Sequence, residues 1–185
     1  MAFELIETSL NDAFIIKPHK FEDDRGIYEK NFEYNILKRK GITFNIVESS
    51  DLYTKKGAIR GLHYQNGESQ AKLVRVVYGK VFDVIIDLRK DSTTFGKTFS
   101  IILESDTNMS LYIPRGFAHG FLALEDSIFA YYCDGKYEPL QCGGLLWNDA
   151  QLNIKWPLEK YGIKKLIISE KDKKWPSFKT YLNID

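Results

Sequence analysis

The stretch Lys80-Val81-Phe82-Asp83-Val84-Ile85-Ile86-Asp87-Leu88 decides the fold. Successive side chains of a strand point to opposite faces, so Phe82, Val84, Ile86 and Leu88 share one face while Asp83 and Asp87 take the other. Outward from it, the chain between 43 and 133 divides into β-type runs separated by Gly, Asp, Ser and Lys turns. They are Thr43 to Val47, Ala58 to Tyr64, Lys72 to Tyr78, Thr98 to Leu103, Leu111 to Pro114, Phe117 to Leu124 and Ile128 to Cys133. Many short strands at regular spacing predict a mainly β protein, an antiparallel sandwich or barrel.

Upstream, residues 12–18 read as a strand stopped by Pro18, and Asp23-Asp24-Arg25-Gly26 as a turn into a second strand from Ile27 to Phe32. Glu33 to Lys40, closed by Gly41, reads as a short helix. Beyond Glu138-Pro139 the pattern is less regular, and residues 166–172 read as a strand or turn that packs back on the body. No repeat, linker or low-complexity segment interrupts the chain.

At 185 residues, 44% of them hydrophobic, the chain supports one core, and a single domain over 1–185 is expected. Its 26 basic and 25 acidic side chains, with no long run of one sign, predict neither nucleic-acid nor membrane binding. The N-terminus shows no basic segment followed by an apolar one, and no window has the length to span a bilayer, so a cytoplasmic protein is expected. Cys133 and Cys142 lack a paired motif and are expected to be plain thiols.

Chemistry concentrates in Arg60-Gly61-Leu62-His63-Tyr64-Gln65 and Lys72, which set cations on apolar runs. A buried cation costs free energy unless an anion meets it. His63 is the natural candidate for proton transfer near neutrality, although a hydrogen-bonded core histidine fits the same hexapeptide. On a regular strand Arg60 and His63 would face opposite ways, and both can face one cavity only if the strand breaks; Gly61 is where a break is expected.

The chain has three histidines, His19, His63 and His119, and neither of the last two has a histidine two residues away. That spacing speaks against a catalytic metal site. Along 127–133, Phe129, Tyr131 and Cys133 share one face and Ile128, Ala130 and Tyr132 the other, so one of the two tyrosines points inward. An inward phenol can deliver a proton, and a packed phenol with its hydroxyl satisfied fits the pattern equally. Ile113-Pro114-Arg115-Gly116-Phe117-Ala118-His119-Gly120-Phe121 suggests a ligand-lined wall.

These motifs, with Gly79-Lys-Val-Phe-Asp-Val, Asp87-Leu-Arg-Lys-Asp-Ser, Thr94-Phe-Gly, Tyr137-Glu-Pro, Trp147-Asn-Asp and Ile154-Lys-Trp-Pro157, run in an order that resembles the dTDP-4-dehydrorhamnose 3,5-epimerase family. The similarity covers roughly residues 3 to 176. It implies a cupin-type β-barrel or jelly roll with a few short helices and no cofactor. It also implies a homodimer whose N-terminal arm, about 1–45, is shared between subunits, and a tail, about 140–185, that packs on the barrel. The implied reaction inverts C3 and C5 beside the C4 ketone of a nucleotide-diphosphate sugar, dTDP-4-dehydro-6-deoxy-D-glucose.

Residue by residue, the resemblance makes His63 the base, Asp172 the carboxylate that orients it, Lys72 the cation at the ketone oxygen and Tyr131, rather than Tyr132, the acid on the other side. Arg60 and His119 match residues lining the sugar and phosphate site, and Tyr137 an aromatic near the sugar. Arg25, with Phe21 before it, matches a nucleotide contact that reaches across to the partner subunit. Two positions depart from the family pattern: Lys30 stands where a Glu is usual, and Glu48-Ser49-Ser50 where Gln-Asp-Asn is usual. With Glu48 and Ser50 they belong to the substrate-binding set at the nucleotide end, so the departures bear on the nucleotide and on the final product. Alternative readings are an epimerase acting on one centre only or on a different nucleotide sugar, a sugar-nucleotide-binding cupin without catalysis, and a metal-dependent cupin oxygenase.

Overall fold

The computed structural model describes residues 3–67 and 69–183. The strands in chain order are β1 (Phe3–Glu7), β2 (Phe14–Pro18), β3 (Lys20–Asp23), β4 (Gly26–Glu29), β5 (Glu48–Thr54), β6 (Ala58–Gln65) and β7 (Lys72–Tyr78). They continue as β8 (Lys80–Asp87), β9 (Thr98–Glu104), β10 (Ser110–Ile113), β11 (Phe117–Ala123), β12 (Ser127–Cys133), β13 (Cys142–Gly144) and β14 (Ile167–Ile168). Two short helices, α1 (Tyr34–Arg39) and α2 (Phe178–Tyr181), lie outside the sheets.

One sheet runs β1-β2-β10-β7-β12-β5 and the other β13-β6-β11-β8-β9, with β14 joining β6 in parallel; β3 and β4 form a separate hairpin. All other pairings are antiparallel. Neighbours far apart in sequence, such as β2 with β10 and β6 with β11, are the crossings of a jelly roll, and the fold is the cupin-type one.

The core between the sheets takes Val74, Val76 and Phe129 from one and Val81, Ile85 and Phe121 from the other. β8 is therefore buried on both sides: Val84 and Ile86 pack outward under the C-terminal segment with Leu145, Leu152 and Phe178. Asp83 and Asp87 are turned to the interior and are fully buried. The outer face of the first sheet is covered by α1 and the segment after it, with Leu37, Ile42 and Phe44 against Leu73 and Tyr112.

The strand expected at 43–47 is absent. Phe44 is buried beneath α1 while Ile46 and Val47 are exposed, and the strand begins at Glu48 as the edge strand β5 on β12. The alternation of Phe44 and Ile46 reflects one anchoring side chain rather than a pleated face. Neither cysteine is in a disulfide. Among the described residues no helix is long and apolar enough to cross a membrane.

Candidate active site

β6 carries Arg60 and His63 into one cavity, and it does so by breaking at Gly61. The β11–β6 register shifts between His119 and Phe121, and Gly61 has φ +125°, in the region that favours glycine. A Cβ there would lie 2.5 Å from Gly120 Cα, so only glycine lets the two strands approach this closely. The expected break is present at the expected residue.

The cavity opens between the sheets, has a volume of about 680 Å³ and is lined by His63, Asp172, Lys72, Tyr131, Arg60 and His119, among others. That size suits a substantial organic ligand. His63 stands on the sheet of β6; Lys72 on β7 and Tyr131 on β12 belong to the sheet facing it. The imidazole and the phenol thus reach the cavity from different sheets.

Asp172 enters from the turn after β14. Its Oδ1 lies 2.6 Å from His63 Nε2 and accepts the Trp175 indole N–H at 3.1 Å, while Oδ2 receives the Gly61 N–H at 3.5 Å. Burial pushes the pKa of this carboxyl up, but the hydrogen bonds from His63, Trp175 and Gly61 outweigh burial and hold it below the ordinary carboxylate value. A carboxylate only accepts, so Nε2 of His63 carries the proton of this bond and Nδ1 is left as the bare nitrogen.

Burial pulls the Lys72 ammonium below the ordinary lysine value, opposed by the Cys133 and Cys142 thiols and Asp83. Among the described residues no carboxylate pairs with it. Burial likewise pushes the Tyr131 phenol well above its usual range, reinforced by the charge of Asp83. Its hydroxyl lies 3.5 Å from Nδ1 of His119, whose Nε2 is 2.9 Å from Asp83 Oδ2. Tyr132 instead packs under the N-terminal arm, which leaves Tyr131 as the inward phenol.

At the cavity mouth Arg60 Nε donates to Thr54 Oγ1 at 3.3 Å. Ser50 and Glu48 line the same edge, and both carboxylate oxygens of Glu48 accept the Tyr137 N–H, at 3.1 and 3.2 Å. Three of the sequence-based site residues lie outside the lining of this cavity. Arg25 pairs with Asp23 at 2.6 Å on the exposed β3–β4 hairpin, Phe21 lies on the same hairpin, and Lys30 pairs with Glu33 at 3.0 Å.

Sequence reading placed Asp83 on a face but gave it no role, and did not connect Trp175 to Asp172. A carboxylate in the middle of an otherwise apolar strand was the available signal, because burying it requires a partner. Among the described residues no group of three or more His, Cys, Asp or Glu is arranged to hold a metal.

Comparison with known proteins shows the family. The family model described as dTDP-4-dehydrorhamnose 3,5-epimerase matches residues 7–180. A protein of that name from Methanothermobacter thermautotrophicus is 42% identical over 174 residues, covering 94% of this chain and 93% of the relative. The crystal structure of dTDP-4-dehydrorhamnose 3,5-epimerase from Elizabethkingia anophelis superposes with a TM-score of 0.91 at 38% identity, covering 97% of this chain and 98% of the other. The Legionella pneumophila dTDP-6-deoxy-D-glucose-3,5-epimerase, solved in complex with dTDP-4-keto-L-rhamnose, superposes at 0.89 with 36% identity, covering 98% and 94%.

Proposed function

The chain belongs to the dTDP-4-dehydrorhamnose 3,5-epimerase family, and we propose that it converts dTDP-4-dehydro-6-deoxy-D-glucose to dTDP-4-dehydro-L-rhamnose by inverting C3 and C5. The protein is an epimerase, an isomerase that needs only proton transfers. The observation that carries the assignment is the placement of His63 with Asp172 on one sheet and Tyr131 with Lys72 on the sheet opposite.

A proton beside a ketone leaves when a base is held against it and the enolate charge is stabilised. His63 removes the proton, and the Asp172 carboxylate balances the imidazolium that forms. Charge develops on the C4 oxygen, where the Lys72 ammonium, desolvated by burial and without a carboxylate partner among the described residues, is worth most. Tyr131 returns a proton to the opposite face, because a single group acting on one face would restore the starting configuration. Arg60 and His119 bind the sugar and diphosphate and Tyr137 stands near the sugar, with Glu48 and Ser50 at the nucleotide end.

The working unit is a homodimer of single-domain subunits in the cytoplasm, the compartment that two free thiols suit. The β3–β4 hairpin leaves Phe21 58% and Tyr28 61% exposed, an apolar surface suited to cover a partner. From there Arg25, Phe21 and Lys30 serve the nucleotide in the neighbouring subunit's site. Mixing inactive Arg25→Ala and His63→Ala chains then restores turnover, since one site in the mixed dimer keeps both groups; no recovery after verified subunit exchange rules this arrangement out.

The central test is solvent deuterium incorporation followed by NMR. Wild type labels C3 and C5 with inversion at both, whereas His63→Ala loses label uptake by about 1,000-fold or more. Uptake at the normal rate in His63→Ala defeats the assignment, and label at C3 alone reduces the activity to one centre.

A further inference from the structure

We propose that Asp83 is a positioning residue for the acid half of the reaction: through His119 it supplies Tyr131 with the proton that the phenol gives to the sugar. This inference rests on the proposed epimerisation and extends it to a residue that touches neither sugar nor cavity.

The geometry has three parts. Asp83 on β8 and His119 on the adjacent β11 are both buried, and His119 Nε2 lies 2.9 Å from Asp83 Oδ2. Nδ1, the other ring nitrogen, faces the Tyr131 hydroxyl at 3.5 Å, and the two rings lie 5.5 Å apart. The second oxygen of Asp83, Oδ1, is buried without a hydrogen-bond partner, so within the described residues His119 is the one side chain that hydrogen-bonds this carboxylate, with the Lys72 ammonium in its field.

These facts define a proton path with one direction of approach. A carboxylate has no proton to give, so the N–H on its side belongs to Nε2, and Nδ1 is the nitrogen that trades protons with the phenol. As Tyr131 protonates the sugar carbon, its O–H bond breaks and a C–H bond forms. His119 enters this step as imidazolium, having taken a proton from water at Nδ1; that proton passes to the phenolate oxygen, so the Nδ1–H bond breaks, a new O–H forms, and His119 becomes neutral with Nε2–H still held by Asp83. The Asp83 carboxylate offsets the imidazolium charge before transfer, which an apolar wall could not do.

Asp83→Asn preserves size but can donate or accept at Nε2, so it no longer dictates which nitrogen carries the proton. His63 is untouched on β6, with β11 between it and β8. The expected result is exchange without inversion: deuterium uptake stays within about threefold of wild type, while inversion falls about 100-fold. A structural defect would lower both together, and that parallel fall, or an unchanged inversion rate, overturns the proposal. A second measurement needs no variant at position 83. In wild type labelled with 15N-histidine, the His119 resonance, assigned by its loss in His119→Gln, should show Nε2 protonated in the neutral ring and in the imidazolium alike; a bare Nε2 overturns the proposal. If wild type neither exchanges nor inverts, the epimerase assignment fails; if wild type inverts and Asp83→Asn matches it, only the role of Asp83 fails.

Discussion

Two imidazole–carboxylate pairs sit side by side on one sheet: His63 and His119 are register partners across β6 and β11, with nitrogen–oxygen distances of 2.6 Å to Asp172 and 2.9 Å to Asp83. They differ in access. Both line the cavity, but the His63 side chain is 36% exposed, whereas the His119 side chain is 2% exposed and abuts Tyr131. They also differ in where the carboxylate comes from. Asp83 belongs to the adjacent strand, whereas Asp172 is 109 residues along the chain and arrives with the C-terminal segment. On the proposed roles, the same chemical pair serves as a base where it is half-exposed and as a support for a neighbouring acid where it is buried. Burial, rather than residue identity, decides the role.

Asp172→Asn should break the open pair. With the charge behind His63 gone, the imidazolium loses its counter-ion, and turnover should fall about 1,000-fold. Deuterium uptake and inversion should fall in parallel, unlike the split expected for Asp83→Asn. Uptake that survives while inversion is lost would show that both pairs act on the same step and would end the distinction.

Lys72→Met should separate catalysis from stability. The ammonium is desolvated and unpaired among the described residues, so replacing it by an apolar side chain of similar length should stabilise the fold by on the order of 1 kcal/mol. That corresponds to a rise in Tm of about 2–4 °C for a domain of this size. Turnover should fall about 100-fold, because the enolate oxygen loses its cation. Calorimetry and the exchange assay on the same variant check both halves. A variant that is destabilised and active would mean that Lys72 is a structural residue.

The fold and much of the site were legible because their signals are local. The alternation in β8 placed Asp83 and Asp87 opposite Phe82 and Val84, and the shared face of Phe129, Tyr131 and Cys133 is the cavity side of β12. The need for Arg60 and His63 to share a cavity located the break at Gly61. Asp172 came only through resemblance, since no pattern in residues 166–172 relates them to His63. β5 was missed because Glu48–Thr54 is an edge strand exposed along most of its length, so it lacks the apolar face that marks a strand. Phe44 drew attention to residues 43–47 instead. The partner for Asp83 is a tertiary fact, fixed by the β8–β11 register rather than by either strand's sequence.

The smallest expected effect on activity concerns the other buried carboxylate of β8. Asp87 accepts from Arg89 and from the hydroxyls of Ser92 and Thr94, all within the turn that follows it. Burial opposes ionisation, but these donors outweigh it and bring the carboxyl from the ordinary 3.8 down to about 2. A group whose value is depressed on folding contributes stability that is complete above the unfolded value and is lost as pH falls through the folded one. Wild type should therefore lose Tm steeply between about pH 4 and pH 2. Asp87→Asn should be less stable near neutrality by about 1–3 kcal/mol, the cost of stripping a buried acceptor of its charge, yet flatter across that acid window. Its exchange and inversion rates per folded molecule should match wild type, since Asp87 reaches neither histidine. Asp83 and Asp87 share one strand face, so a change in the exchange-to-inversion ratio in Asp87→Asn would mean that any buried charge on β8 tunes Tyr131. The specific pairing of Asp83 with His119 would then have no special part in the reaction.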